Sequence, residues 1–201
     1  MTNVYKLTDA QIERYSRQII VPHLGGRGQQ RILASRIMIA GDPRDIEAPL
    51  AYLVGAGVGT INLRLSREQS GFAKNIAAAQ KLNPDVSVTL ANGAQGRVDL
   101  ALLILGTEGA RKLVDDIEDV RALVIARLDA PGKIAIIPET QGSRVIDESM
   151  LVAVGARAEA ADFIAMLATT EAFRLIAGYD ENPSRAIIEF DGYETRVRPN
   201  P

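Results

Sequence analysis

The chain lacks cysteine altogether, and it has a single histidine and few aromatic residues. Without cysteine it forms no disulfide, no cysteine-ligated zinc site and no cysteine nucleophile. Aromatic side chains make up only 4% of its 201 residues, so stacking platforms for nucleic-acid bases are not expected. The 23 basic and 25 acidic residues leave a net charge of −2, and this balance predicts affinity for neither nucleic acid nor membrane surfaces.

Long apolar runs are missing as well. No run approaches the roughly 20 residues that cross a bilayer, and Met1 to Lys6 contain no apolar signal core. Together with the lack of cysteine, these absences favour a cytoplasmic protein. The length suits one α/β domain with a sizeable core. We therefore predict a single domain over residues 1–201, with an N-terminal helical arm at 1–34.

A strand–helix–strand pattern occupies residues 37–65. The apolar run Ile37–Ala40 predicts a buried strand. Glu47–Val54 predicts a short helix that ends in the glycine-rich run at 55–59, and Thr60–Leu65 predicts a second strand. This unit is typical of a parallel α/β sheet.

The turn between the first strand and the helix has the wrong chemistry for a phosphate. It consists of Gly41, Asp42, Pro43, Arg44, Asp45 and Ile46. A phosphate-binding turn at this position has the pattern G-x-G-x-x-G, whose glycines let the backbone approach the anion. Here only the first glycine is present, the proline removes a backbone donor, and the two aspartates add negative charge. The arginine offsets part of that charge, but the isoleucine fills space that the pattern keeps free.

Strand and helix patterns alternate along the rest of the chain. Such alternation predicts a doubly wound, mostly parallel sheet with helices on both faces. The arm is predicted to form a helix capped by Thr8 and Gln11, with an apolar face of Ile12, Tyr15, Ile19 and Ile20, followed by a plain turn at 25–28. Further helices are predicted at 71–82, 108–117 and 156–177, and strands at 86–90, 100–105, 123–126 and 133–137. Residues 141–155 are predicted to be irregular, and 185–190 and 193–197 to form a C-terminal hairpin around Asp191-Gly192.

Several motifs resemble the ThiF/MoeB/HesA proteins, the bacterial relatives of the ubiquitin-activating enzymes. They are Leu7-Thr-Asp-x-x-x-Glu13-Arg-Tyr-Ser-Arg-Gln-Ile19, Gly25-Gly-x-Gly-Gln29, Ala51-Tyr-Leu53, Gly55-Ala-Gly-Val-Gly-Thr-Ile61, Leu82-Asn-Pro-Asp-Val86, Glu171-Ala-x-x-Leu-Ile-x-Gly178 and Phe190-Asp-Gly192. The resemblance covers nearly the whole chain with gaps. It implies a Rossmann-like fold, assembly as a dimer, and Mg-ATP-dependent adenylation of the C-terminal glycine of a ubiquitin-like or sulfur-carrier protein.

Residue by residue, the resemblance implies that most of this activity is lost. The family's ATP loop falls on residues 41–46, its ribose-binding aspartate on Leu65, and its magnesium-binding aspartate on Glu108. Lys74 is the candidate to replace the family's phosphate-binding lysine, although its register differs. The family's zinc cysteines are absent. The resemblance thus implies a degenerate nucleotide pocket made of Gly41, Asp42, Arg44, Leu65, Lys74 and Glu108, with no catalytic residue in cis, no metal site, no zinc and at most weak Mg-ATP binding.

One functional residue of the family is kept. Arg14 matches the arginine that reaches across the dimer to the triphosphate of the neighbouring subunit, and Arg17 lies on the same arm. A guanidinium suits phosphate oxygens because its donors form a rigid fork. We therefore expect Arg14 and Arg17 to make a phosphate contact in trans, and the long helix with its cap, 156–178, to contribute to a subunit interface.

Three hypotheses for function follow from these residues. The first is a non-catalytic subunit that pairs with an active homologue, as a heterodimer, or with itself, and supports a partner that handles a ubiquitin-like or sulfur-carrier protein. The second is a homodimeric pseudoenzyme that acts as a binding module. The third is a working ATP-dependent adenylyltransferase with a non-standard pocket. A NAD(P)-dependent oxidoreductase is disfavoured because the same turn and the same ribose acid are missing.

Overall fold

The computed structural model describes residues 6–66, 71–90, 97–106, 120–129, 132–138, 159–179, 186–190 and 194–199. The described helices are α1 (Asp9–Arg14), α2 (Ser16–Ile19), α3 (Gly25–Ala34), α4 (Pro43–Ala56), α5 (Phe72–Leu82) and α6 (Ala161–Ala177). The described strands are β1 (Arg36–Gly41), β2 (Thr60–Leu65), β3 (Ser87–Leu90), β4 (Val98–Leu105), β5 (Val120–Arg127), β6 (Gly132–Ile137), β7 (Ala186–Phe190) and β8 (Thr195–Pro199).

These eight strands form one sheet in the order β3-β2-β1-β4-β5-β6-β7-β8. The first five pair in parallel, and β6, β7 and β8 add antiparallel strands at one side. The prediction of a Rossmann-like, mostly parallel sheet with a helical arm and a C-terminal hairpin is confirmed. No helix among the described residues is both long and apolar enough to span a membrane.

The central strand β4 shows why the sequence favours this arrangement. Its run of apolar residues is buried along almost its whole length, as expected for a parallel strand covered on both faces. Leu100, Leu102 and Ile104 point into a core shared with helices α4 and α6, whereas Ala101 and Leu103 belong to a second apolar cluster on the opposite face. Alternate residues of one strand therefore supply two cores.

The arm matches its predicted start but not its predicted apolar face. Thr8 and Gln11 form the capping box as predicted. Of the expected apolar face, Tyr15 is fully buried, while Ile12 and Ile20 are 47% and 79% exposed. The prediction of one continuous helix was wrong as well, because the arm breaks at Tyr15, which caps α1 and starts α2.

The starts of helices α3 and α4 were predicted wrongly, because glycine and proline fit both turns and the first positions of a helix. The glycines at 25–28 begin helix α3 rather than a plain turn. Helix α4 starts at Pro43 instead of Glu47, because proline at the first helical position has a suitable φ and needs no donor there. Its second proline, Pro49, lies inside the helix, where it removes one interior hydrogen bond.

The C-terminal strands pair as predicted, with a different connection. Phe190 pairs with Thr195, so the connection is longer than the two residues that Asp191-Gly192 predicts. Helix α6 is the longest of the described helices, and Gly178 ends it in a left-handed conformation, as predicted. The helix predicted at 108–117 and the irregular segment predicted at 141–155 lie outside the described residues.

Candidate functional site

The carboxyl ends of β1 and β4 lie where the strand order reverses. Strand β1 pairs with β2 on one side and β4 on the other, so Gly41 is flanked by Leu65 and Ile104. In open α/β sheets, ligands bind in the crevice outside such a point. This edge is the candidate site, and the segment that faces it is residues 41–46, named here the β1–α4 turn.

Helix α4 begins inside the β1–α4 turn, and its first donors are already used or absent. Asp42 is the N-cap, and its carboxylate accepts a hydrogen bond from the backbone N–H of Arg44 at 3.0 Å. Pro43, the first helical residue, has no N–H to offer. Helix N-termini bind anions through free N–H groups and the helix dipole. Here a carboxylate of the chain itself occupies that position.

The space behind the turn is filled as well. A Cβ on Gly41 would lie 2.5 Å from the carbonyl oxygen of Ile104 and 2.8 Å from Cγ2 of Ile46. Ile46 is completely buried, and Asp45 is only 8% exposed, with its Oδ2 3.2 Å from the position of a Cβ on Gly106. The helix therefore packs directly on the strands, where nucleotide-binding turns leave room for backbone to approach phosphate.

A buried ion pair at the same edge was missed by the sequence analysis. Arg127 and Asp129 are 5% and 1% exposed. Nε of the arginine donates to Oδ1 at 2.8 Å, and Nη2 donates to Oδ2. Arg127 is in register with Leu105, so the pair lies beside the end of β4. The available signal was an arginine and an aspartate directly after a buried strand pattern, since such residues are rarely buried unless paired.

The other residues predicted for the nucleotide pocket do not form a cluster in the described part of the chain. Leu65 packs against the apolar core. Arg44 is exposed on the first turn of α4, and Lys74 is exposed as the third residue of α5. Glu108 lies outside the described residues. Among the described pocket residues, Gly41 and Leu65 are paired residues of β1 and β2, and Asp42 contacts Arg44 within the β1–α4 turn.

The arm is held by a second polar cluster, named here the arm anchor. Three arm residues converge on Asp85: Gln11 Nε2 donates to Oδ1 at 3.3 Å, while Arg14 Nη1 and Tyr15 Oη lie 2.6 and 3.0 Å from Oδ2. Asn83 completes the anchor by donating through Nδ2 to Tyr15 Oη at 2.8 Å. In the sequence, the Asn-Pro-Asp stretch carries the family resemblance and gives no sign of its contacts with the arm.

Tyr15 lies at the centre of the arm anchor. Its side chain is 1% exposed, and a Cβ on Gly57 would lie 2.6 Å from its Oη. Gly57 ends helix α4 with a positive φ of 89°, so a glycine suits both the backbone and the neighbouring ring. Burial above all, helped by the Asp85 carboxylate and opposed by the Asn83 hydrogen bond, raises the pKa of Tyr15 to about 12.

The two arginines predicted to act in trans differ in their surroundings. Arg14 forms an ion pair with Asp85 of its own chain, and its side chain is 35% exposed. Arg17 is exposed on α2. Contact with a neighbouring subunit remains a prediction for both.

An apolar cleft of about 670 Å³ separates the arm from helices α4 and α6. Tyr52 and Phe173 meet edge to face across it, with ring centroids 6.2 Å apart. Gln18 contributes a buried Oε1 that accepts no hydrogen bond from any of the described residues. The cleft is lined by Gln18, Val21, Leu24, Ala51, Tyr52, Gly55, Ala56, Thr170, Phe173, Arg174 and Tyr179.

Sequence comparison relates this chain to adenylyltransferases. It is 25% identical to the molybdopterin-synthase adenylyltransferase of Escherichia coli K12 over 232 aligned positions, which cover 96% of this chain and 93% of that protein. It is 44% identical over 63 residues to the adenylyltransferase and sulfurtransferase uba4 of Aspergillus fumigatus. That match covers 31% of this chain and only 13% of the fungal protein. No protein-family model matches the chain.

Solved structures confirm the fold. The structure of PaaA superposes with a TM-score of 0.62 at 17% identity, covering 99% of this chain and 77% of that one. Escherichia coli MccB, solved with ATP, gives a TM-score of 0.57 at 14% identity, covering 92% of this chain and 71% of that one. The predicted resemblance is therefore confirmed as a similarity: along nearly its whole length this chain is similar to a molybdopterin-synthase adenylyltransferase, a protein of the ThiF/MoeB type.

Proposed function

We propose that this chain is a relative of the adenylyltransferases that no longer adenylates, and that it supports a partner subunit instead. The observation that carries the proposal is the Asp42 carboxylate on the first turn of α4. A triphosphate at that position would meet Asp42 and the neighbouring Asp45 rather than free N–H groups. Each lost phosphate or ribose contact weakens binding by about 1–3 kcal/mol, so several losses reduce ATP affinity by orders of magnitude.

The arm supports the second half of the proposal. Arg14 uses Nη1 to bind Asp85 and keeps part of its side chain in solvent, so an anion on another subunit is within its chemistry. The cleft beside the arm has apolar walls, and the neighbouring Ile20 is 79% exposed. An exposed apolar surface of this kind suits a subunit interface. The partner is a second copy or, as a heterodimer, an active homologue.

The proposal extends to location and ligands. We infer a cytoplasmic protein without zinc or a resident cofactor, in which Mg-ATP binds weakly at most. The E. coli relative is named a molybdopterin-synthase adenylyltransferase, and the fungal relative an adenylyltransferase and sulfurtransferase. A ubiquitin-like or sulfur-carrier protein is accordingly the expected cargo of the partner.

Calorimetric titration with Mg-ATP tests the loss of the nucleotide site. We expect no heat of binding at protein concentrations that detect millimolar affinity. If binding is seen, Arg44→Ala decides where it occurs, because Arg44 is exposed in the β1–α4 turn, while the matched variant Arg27→Ala removes an exposed arginine of α3. Binding that Arg44→Ala weakens and Arg27→Ala leaves intact would favour the active enzyme with a non-standard pocket and contradict the proposal.

Sedimentation analysis tests the interface. We expect the purified chain to form a homodimer, or a heterodimer when mixed with a homologue from the same genome that keeps the full glycine-rich loop. Ile20→Asp should dissociate either dimer, since a charge cannot be buried there without a partner. Leu82→Asp is the matched control, because Leu82 is also exposed, at 63%, but lies at the end of α5. A monomer in both preparations would contradict the interface.

The role of Arg14 is tested in the same mixture by ATP–pyrophosphate exchange. The chain should raise the rate of ATP–pyrophosphate exchange by the homologue. In Arg14→Ala this increase in rate should be smaller by about tenfold or more, as expected for the loss of a charge-assisted phosphate contact. Arg27→Ala should leave the increase unchanged. A homodimer that neither binds ATP nor stimulates a homologue would instead favour the pseudoenzyme binding module.

A further inference from the structure

One carboxylate decides where the arm lies. Gln11, Arg14 and Tyr15 all direct a donor at Asp85, about 70 residues further along the chain. Hydrogen bonds that involve an ionised group are the strong ones, at roughly twice the strength of neutral pairs. The three donors come from one short segment, so the arm gains all three contacts together or loses them together.

The acceptor is itself fixed by a second residue. Asn83 is 1% exposed. Its Nδ2 donates to the Val54 carbonyl oxygen at 2.9 Å, and its Oδ1 accepts the backbone N–H of Asp85 at 3.1 Å. Val54 lies in the last turn of α4, so Asn83 ties the position of the carboxylate to the end of that helix. The arm therefore docks on a rigid part of the fold.

The ion pair with Asp85 orients Arg14 but engages only part of its guanidinium group. The contact to Asp85 involves Nη1 alone. A guanidinium carries five N–H donors in a planar fork, so a pair through one nitrogen leaves its other edge without a partner among the described residues, and the side chain is 35% exposed. A bidentate pair, such as that of Arg127 with Asp129, would occupy the fork instead.

We propose that Asp85 is the positioning residue for Arg14: it docks the arm and aims the open edge of the guanidinium at the anion of a neighbouring subunit. This inference rests on the proposed function for the role of Arg14 in trans. The docking of the arm by Asp85 does not depend on a partner, so the two parts can fail separately.

Amide hydrogen exchange tests the docking on the chain alone. In Asp85→Asn the amides of residues 9–19 should exchange about 10 to 100 times faster, as expected for the loss of hydrogen bonds to a charged group, while amides of β1 and β4 stay protected. Asp99→Asn is the matched control, because Asp99 accepts the Arg36 N–H away from the arm. Unchanged exchange in the arm would overturn the proposal. Should Asp85→Asn fail to fold, Arg14→Ala removes one of the three donors to Asp85 and should act in the same direction with a smaller effect.

A charge exchange separates docking from the action of Arg14. The double variant Arg14→Asp with Asp85→Arg restores the ion pair but not the acceptor for Gln11 and Tyr15, so arm protection should return in part. Stimulation of ATP–pyrophosphate exchange in the homologue should not return, because no cation stands at position 14. A double variant that restores both readouts would overturn the positioning role, since arm docking alone would then suffice.

The direction of the change in Asp85→Asn shows whether Asp85 positions Arg14 for the partner's anion or instead competes with that anion for Arg14. Asp85→Asn should lower the stimulation of the homologue by about tenfold although Arg14 is present. An increase would overturn the proposal, because Asp85 would then compete with the partner's anion. If Arg14→Ala itself has no effect on the homologue, the proposed function fails and Asp85 is left as a docking residue of the arm only.

Discussion

The arm anchor carries motifs that resemble one protein family, whereas the β1–α4 turn has only the first glycine of that family's loop, and the two are built in opposite ways. In the arm anchor, donors on one segment meet an acceptor about 70 residues away, and the contacts hold two parts of the chain together. In the β1–α4 turn, Asp42 bonds the backbone two residues on. The arm anchor therefore forms only when the chain has folded, whereas the hydrogen bond of Asp42 forms within a single helix end. The arm is thus held by contacts between residues far apart in the chain, whereas the contact in the β1–α4 turn is local to one helix end.

The largest effect is expected from adding a methyl group inside the β1–α4 turn. Gly41→Ala places a Cβ 2.5 Å from the Ile104 carbonyl oxygen, and neither strand can move without breaking the sheet. We expect a loss of about 3 kcal/mol in the free energy of unfolding, measured by urea denaturation. Gly55→Ala is the matched control, because among the described residues no atom beyond the neighbouring helix backbone lies within 4 Å of its Cβ. It should be neutral or stabilising by about 0.5 kcal/mol.

The arm anchor should be broken by removing one oxygen. Tyr15→Phe leaves Asn83 and Asp85 without their shared partner in a buried position, which costs about 2 kcal/mol. Tyr52→Phe is the control, since Tyr52 is 42% exposed and loses a solvated hydroxyl. The two variants are compared by urea denaturation at neutral pH. Equal stabilities would show that the hydroxyl of Tyr15 contributes nothing to docking.

The arm anchor should also weaken at alkaline pH. The folded state raises the pKa of Tyr15 from its ordinary value of 10 to about 12. Between these values the unfolded chain has released the phenol proton and the folded chain retains it, so stability falls as pH rises. From about pH 9 to about pH 11 we expect a loss of about 1 kcal/mol that Tyr15→Phe does not show. Urea denaturation of both proteins across this range, taken as a difference, isolates Tyr15 from the other tyrosines.

The smallest effect is expected at the cap of α4. Asp42→Ala removes the acceptor for the Arg44 N–H and should cost about 1 kcal/mol or less in urea denaturation. Asp42→Asn keeps a capping oxygen and should lie within a few tenths of a kcal/mol of the parent protein. The same pair sharpens the proposal for function. We expect Asp42→Asn to gain no affinity for Mg-ATP in calorimetry, because Ile46 still fills the space behind the turn. A gain in affinity would show that the charge of the carboxylate alone repels the nucleotide.

The elements that the sequence predicted well are those encoded by neighbouring residues. The run at 100–105, the capping box at Thr8 and the cap at Gly178 all follow from local periodicity and local backbone chemistry. Helix starts were predicted less well at residues that fit either a turn or the first position of a helix. Gly25 and Pro43 are typical of turns and also fit the first positions of a helix.

The sequence by itself determined the α/β class, the family resemblance and the loss of the glycine pattern in the β1–α4 turn, because each is a property of order and spacing along the chain. Only the tertiary structure decided which charges are buried and with whom. Asp85 receives three arm donors and Arg127 pairs with Asp129 beside β4. The physical reason is that a charge is stable inside a protein only beside a partner, and sheet topology brings these partners together.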